Sequence, residues 1–212
     1  MSAGAPVAAE RAYEHTKARI ITGDLAGGQL ISEAVLGEEL GISRTPVHEA
    51  FLRLDAEQLL ELVSRKGAIV RPVTPTERDD VLAMRRGIET SSAEQAFLKG
   101  GPSDKVAEAL RENLEHQHRC VPAGDVTAFV VADDDFHALL IDASGNPIAQ
   151  HFYSQLRDRQ QRLRNLLLRI DPSTLSASYA DHRELADRFI GGDRDGFLAG
   201  LNAHLDRYQG AI

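Results

Sequence analysis

The twenty residues Ser32–Phe51, SEAVLGEELGISRTPVHEAF, constrain this chain more than any other stretch, because they read as two short helices joined by a tight turn. Ser32 suits the N-cap of the first helix, whose core face is Leu36 and Leu40. Gly41 stops it, since glycine enters the left-handed conformation that closes a helix. Ser43 suits the second N-cap, and Pro46 is tolerated in a first turn, where N–H groups lack intrahelical partners. Val47, Ala50, Phe51 and Leu54 recur at i, i+3, i+4 and i+7, which buries one stripe of the second helix. Arg44, Thr45 and His48, with Ser43 beside them, are left outward at its N-terminal end. A recognition helix presents side chains to base edges and phosphates of the major groove from that position.

Farther on, Leu60–Val63 and Ala68–Arg71 read as a hairpin around Ser64-Arg65-Lys66-Gly67, with Gly67 suited to the tight turn. From about Ala12 to Val73 the chain resembles the N-terminal winged helix-turn-helix of the GntR family of bacterial transcription regulators. The likeness covers the first helix with GDLAGGQL after it, the LGEELGISRTPV turn and the hairpin. It implies that Arg65 and Lys66 lie where a wing meets phosphates. Two residues depart from the family pattern: His48 stands where arginine is usual, and Gln58 where glycine is common.

The formal charge of −8 runs against the usual composition of a DNA binder. Between Glu10 and Pro72 there are eight Lys/Arg against ten Asp/Glu, so even this segment has no general positive field. Affinity for DNA must then come from local placement of Arg44, Arg65, Lys66 and Arg71, reinforced by dimerisation. The one cysteine, Cys120, excludes an internal disulfide and suits a reducing compartment. No apolar run approaches the ~20 residues that span a bilayer. A cytoplasmic protein with no membrane partner is expected.

Arg71-Pro-Val-Thr-Pro75 is too proline-rich to continue an element and reads as a short stiff linker. Thr74-Pro75-Thr76-Glu77 then has the pattern of a capping box. Beyond it, helical periodicity is broken at glycine- and proline-rich points, predicting helices near 76–99, 103–120, 125–144, 147–169, 173–190 and 193–209. Val81, Met84 and Ile88 mark the expected buried face of the first. The sequence thus predicts a mainly α protein: a disordered tail (1–9), a winged helix-turn-helix (10–73) and an all-α antiparallel bundle (74–212).

Within the bundle, Asp133 and His137 are four apart and share a helix face, while His182 and His204 fall in two later helices. One carboxylate and three imidazoles suit zinc, nickel, manganese or iron. Spacing alone leaves this open, because eight histidines are present and isolated helical histidines are commonly surface or core residues. Asp133-x-x-Phe136-His137 followed by Ala143-Ser-Gly-Asn146-Pro147, and Asp181-His182-Arg183 followed by Asn202-Ala-His204-Leu205, resemble the C-terminal effector domain (FCD type) of the FadR subgroup. The resemblance implies Asp133, His137, His182 and His204 as ligands of one divalent metal per chain, zinc foremost. Asp134, three residues before His137, competes for the aspartate role.

Arg85-Arg86-Gly-Ile-Glu89 resembles the first helix of the same domain, which implies that Arg85 faces an effector cavity, its planar fork suiting a carboxylate. The competing reading is an exposed salt bridge to Glu89. Arg159, Arg162 and Arg164 are expected on a solvated helix face. His116 and His118, two apart on a helix, diverge and make no metal clip.

Together these readings predict a regulator, not an enzyme: a homodimer binding an inverted-repeat duplex DNA operator under control of a small carboxylic acid. The alternative is a helical metal-dependent hydrolase with a DNA-binding appendage. It lacks support from any G-x-S-x-G elbow, phosphate-cradling glycine loop or H-E-x-x-H helix.

Overall fold

The apolar stripe of the second helix in the opening motif organises the N-terminal third of the chain. The computed structural model describes residues 4–171 and 173–208, which form two units, Met1–Val73 and Thr74–Ile212. In the first unit α1 (Gly4–Thr22) leads to β1 (Leu30–Ile31), then α2 (Glu33–Leu40), α3 (Arg44–Ala56), β2 (Leu60–Val63) and β3 (Gly67–Val70). Val47, Ala50, Phe51 and Leu54 are fully buried and pack with Ala12 and Ile20 of α1 and Leu60, Ala68 and Val70 of the sheet.

The three strands are antiparallel in the order β1-β3-β2, with Ile31 opposite Ala68 and Val63 opposite Gly67. β1 was not anticipated from sequence, being only two residues long. It explains Gly67 better than the turn does. At φ 111° a Cβ there would stand 2.1 Å from the Ile31 carbonyl oxygen, so a side chain would push β1 off the hairpin.

The expected disordered tail is corrected: from Gly4 onward the chain is already helical, and residues 1–3 lie outside the described residues. Alanine-rich sequence favours helix, and Ala9 is buried, so packing holds this turn. Ser32 and Ser43 occupy the N-cap positions, but neither hydroxyl makes a capping hydrogen bond.

In the second unit six helices follow: α4 (Pro75–Leu98), α5 (Asp104–Ala123), α6 (Val126–Asp142), α7 (Pro147–Ile170), α8 (Thr174–Ile190) and α9 (Arg194–Asp206). The Thr74 hydroxyl accepts from the Glu77 N–H at 3.1 Å, while the Glu77 carboxylate takes Arg159 instead of closing the capping box. α5 runs through Pro122, where a break was expected; Pro122 gives the ladder no N–H, and Gly124 ends the helix two residues later. The predicted end of the last helix, near 209, lies outside the described residues.

α6 packs against α4, α5, α7 and α8, which buries it on several sides. The buried face of α4 is corrected too. Val81 is buried, but Met84 is 52% exposed and Ile88 half-buried, and the inward stripe is Val81, Leu82, Arg85, Glu89 and Ser92. Apolar periodicity misplaces this face because three of the buried residues of α4, Arg78, Arg85 and Glu89, are charged.

Gln58 shows the cost of departing from glycine. The end of α3 is a Schellman turn: Gln58 N–H donates to Asp55 O and Leu59 N–H to Leu54 O, with Gln58 itself at φ 63°. A left-handed L-residue costs ~1–2 kcal/mol, part of which glycine returns through its freer unfolded state. Gln58→Gly is therefore expected to stabilise the protein by ~0.5–1 kcal/mol, seen as a higher urea midpoint for the N-terminal unit.

Candidate functional site

Two groups of side chains stand out, one in each unit. In the first, Ser43, Arg44, Thr45 and His48 are exposed at the start of α3, and Arg65 and Lys66 are exposed in the β2–β3 turn. Arg44 and His48 line a groove of about 600 Å³ together with Arg65, Lys66, Gly67 and Glu33. Glu33, which the sequence reading left unassigned, accepts from His48 Nδ1 at 2.7 Å.

The second group is built by all six helices of the bundle. Asp133 and His137 lie on α6, His182 on α8 and His204 on α9; all four are buried, and one potential ligand atom from each lies within 4.8 Å of the others. Ligands on opposite sides of an ion at ~2.0–2.2 Å are about 4.0–4.4 Å apart, so a slight inward movement brings all four onto one ion.

The orientation of the imidazoles is the stronger sign. His137 Nδ1 is 2.7 Å from Glu89 Oε2, His182 Nδ1 is 2.7 Å from Gln117 Oε1, and His204 Nδ1 is 3.1 Å from Asp181 Oδ2. Each partner oxygen is an acceptor, which places the hydrogen on Nδ1 and the lone pair on Nε2. All three Nε2 atoms are buried without a hydrogen-bond partner. A buried polar atom without a partner costs ~1–3 kcal/mol, and three in one place, each with its tautomer fixed, match the donor set of a metal centre.

Electrostatics keeps these donors in ligand form. Burial drives His182 well below the usual imidazole range and His204 to about 4, so both are neutral at neutral pH. Burial alone would raise Asp133, but the Arg164 guanidinium, 2.7 Å from Oδ1, holds it well below the ordinary carboxylate range. Asp134, the competing aspartate, is buried beside Asp133 but pairs with Arg157 at 2.7 Å; burial raises it to about 6.

For Arg85 the salt-bridge reading is corrected in its exposure. The residue does pair with Glu89, at 2.8 Å, but inside the bundle, where it is 2% exposed. Burial raises Glu89, and Arg85 and His137 together overcome this and bring it to about 2. Arg85 Nη2, Arg164 Nη1 and the Tyr153 hydroxyl are buried without hydrogen-bond partners.

The expectation for Arg159, Arg162 and Arg164 is corrected. Arg159 is half-exposed and pairs with Glu77, whereas Arg162 and Arg164 are buried. Arg164 stacks over Tyr208, 4.3 Å from the ring centroid, and neutralises Asp133. A solvated face was inferred because arginine rarely goes inside; the buried carboxylate across the bundle is what brings it there.

Sequence reasoning also missed Glu89, Gln117 and Asp181. Glu89 and Asp181 carried a signal, one a helical turn after Arg85 and the other adjacent to His182, although Asp181 serves His204. Gln117 carried none, lying between His116 and His118. Its amide is turned by donation from Nε2 to Asn113 Oδ1 at 2.7 Å, which aims Oε1 at His182.

A winged helix-turn-helix joined to a helical bundle with a buried ligand-type cluster is the architecture of a DNA-binding regulator. Residues 8–70 match the gntR family of bacterial regulatory proteins and residues 80–207 match the FCD domain. The chain belongs to the GntR family of transcriptional regulators, with an FCD effector-binding domain at its C-terminal side.

It is 27% identical over 201 residues to the gluconate operon transcriptional repressor of Bacillus licheniformis, covering 92% of this chain and 80% of that protein. It is 29% identical over 193 residues to an uncharacterized HTH-type transcriptional regulator of Streptomyces ambofaciens, covering 91% and 80%. Among solved structures, a GntR regulator from Rhodococcus sp. RHA1 superposes with a TM-score of 0.76 at 20% identity, covering 95% of each chain. McbR/YncC of E. coli gives 0.75 at 22% identity, covering 94% of each. The family and these relatives are regulators, not enzymes, which sets the hydrolase alternative aside. Among the described residues no helix is long and apolar enough to cross a membrane.

Gln117 gives a direct check on the imidazole geometry. Gln117→Leu removes the acceptor for His182 Nδ1 without touching a ligand-type atom. Affinity for zinc, measured by competition with a chromogenic chelator, is expected to fall about 10–100-fold. Unchanged affinity would show that the His182 tautomer is not set this way.

Proposed function

We propose that this regulator is a cytoplasmic homodimer whose affinity for an inverted-repeat operator is set by a small carboxylic acid bound beside a divalent metal in the bundle. The observation that carries the metal is the set of three buried Nε2 atoms, without hydrogen-bond partners, converging with the Asp133 carboxylate. Asp133, His137, His182 and His204 would hold one ion per chain, zinc foremost, with nickel, manganese or iron as alternatives. When bound, the ion would supply open coordination positions that attract a carboxylate oxygen.

The chain's own residues provide the rest of the site. Arg85 is tethered through Nε to Glu89 and keeps Nη2 without a partner, so its fork is anchored with one donor to spare. That donor, with Arg164 Nη1 and the Tyr153 hydroxyl, suits the second polar end of an acid. Ile148 and Phe152, exposed one turn apart on α7, supply apolar surface for a two-fold partner.

In the DNA-binding unit, Ser43, Arg44, Thr45 and His48 face the major groove, and Arg65, Lys66 and Gly67 contact the backbone. The acid can alter operator affinity only by binding better to one arrangement of the dimer than to the other.

Three measurements test this function. Arg44→Ala is expected to abolish specific operator binding in gel-shift titrations at fixed salt while the fold persists, one base contact being worth ~1–3 kcal/mol. Operator affinity equal to wild type would remove the recognition-helix assignment. For the bundle, metal-loaded protein is expected to gain melting temperature with di- or hydroxycarboxylic acids and to respond much less once chelated. Arg85→Ala should weaken that response while elemental analysis still finds about one metal per chain, and His204→Ala should lose most of the metal. Equal shifts with and without chelator would make the ion structural only.

A further inference from the structure

Glu33 is out of place by charge. It lines the groove beside Arg44, Arg65 and Lys66, where a free carboxylate would repel the phosphates those cations attract. Its position is fixed, since it is the first residue of α2, and its side chain reaches across to α3 to meet His48 Nδ1 at 2.7 Å. The His48 side chain is 50% exposed and that of Glu33 27%, so the pair presents the imidazole outward and keeps the carboxylate behind it.

The polarity of this pair follows from its chemistry. A carboxylate only accepts, so the hydrogen between them belongs to His48 Nδ1. An imidazole whose single hydrogen is held on Nδ1 carries a lone pair, and no hydrogen, on Nε2. Among the described residues His48 makes no other hydrogen bond. One turn earlier Arg44 offers donors only, which suits the acceptor edge of guanine. Successive outward positions of α3 thus differ in sign, donors at Arg44 and an acceptor at His48.

We infer that Glu33 is a positioning residue that fixes His48 as a hydrogen-bond acceptor, so the base read by His48 carries a major-groove amino group, cytosine N4 or adenine N6. This rests on α3 being the recognition helix, and it assigns the sense of one specificity contact within that reading. Glu33 thereby trades some attraction for phosphate against selectivity at one base pair.

The test is selection of bound sequences from a fully randomised duplex library by the full-length protein at pH 8, where an imidazole is ordinarily neutral. Wild type is expected to enrich cytosine or adenine at the position whose preference His48→Ala erases, and His48→Arg should move that position to guanine. Glu33→Ala should flatten the same position about tenfold, with affinity for random duplex DNA unchanged or raised because a negative charge is gone. Guanine preferred there by wild type would overturn the inference. So would a Glu33→Ala profile identical to wild type, or a uniform loss of affinity for all sequences, which a merely structural Glu33 would give. A wild-type profile retained by Arg44→Ala would instead bring down the recognition-helix assignment beneath it.

Discussion

A buried imidazole can aim a lone pair at a chosen point only if something else takes the hydrogen of its other nitrogen. The bundle meets that requirement three times, with Glu89, Gln117 and Asp181 behind His137, His182 and His204. Two of these acceptors are themselves charged and need compensation, supplied by Arg85 for Glu89 and Arg207 for Asp181. Asp133 needs the same, and Arg164 supplies it. Every helix of the bundle is thereby drawn to one centre by polar contacts of defined geometry. Apolar contacts such as the Phe97–Phe189–Phe197 cluster hold the fold together without aiming anything at that centre.

That arrangement explains what the sequence revealed and what it hid. The opening motif was legible because local signals agree there: Gly41 at the stop, an apolar i, i+3, i+4, i+7 stripe, and cations on the opposite face. The six bundle helices were legible for a related reason, since glycine, proline and capping residues punctuate them. The four ligand-type residues were reached through their resemblance to a known domain, spacing being insufficient. Arg164 and Gln117 were hidden because their roles depend on partners 31 and 65 positions away in sequence, contacts that no local pattern encodes. Met84 was misassigned because hydrophobicity located the inside of α4, whereas that face is lined with charge.

The DNA-binding unit solves a different problem on an unfavourable background. With the whole chain at −8, its attraction for DNA cannot be diffuse. The cations are instead gathered along one groove, and Gly67 keeps the wing seated against β1 so that Arg65 and Lys66 stay at its edge. Three acidic residues of this unit are paired with cations outside that groove: Glu39 with Arg19, Glu57 with Lys17 and Glu10 with Arg53. Local pairing of this kind lets an acidic protein show DNA a surface unlike its average.

The acceptors behind the three histidines are not alike. His137 and His204 lean on carboxylates, which push electron density into the ring and make Nε2 a stronger donor, whereas His182 leans on the neutral amide of Gln117. The donor set is therefore graded: two firm arms and one softer arm, the soft one being stacked 4.6 Å from Phe136. Were these residues to hold a metal, His182 would be the weakest of its three imidazole ligands. The unequal acceptors thus leave the α8 imidazole the least polarised of the three.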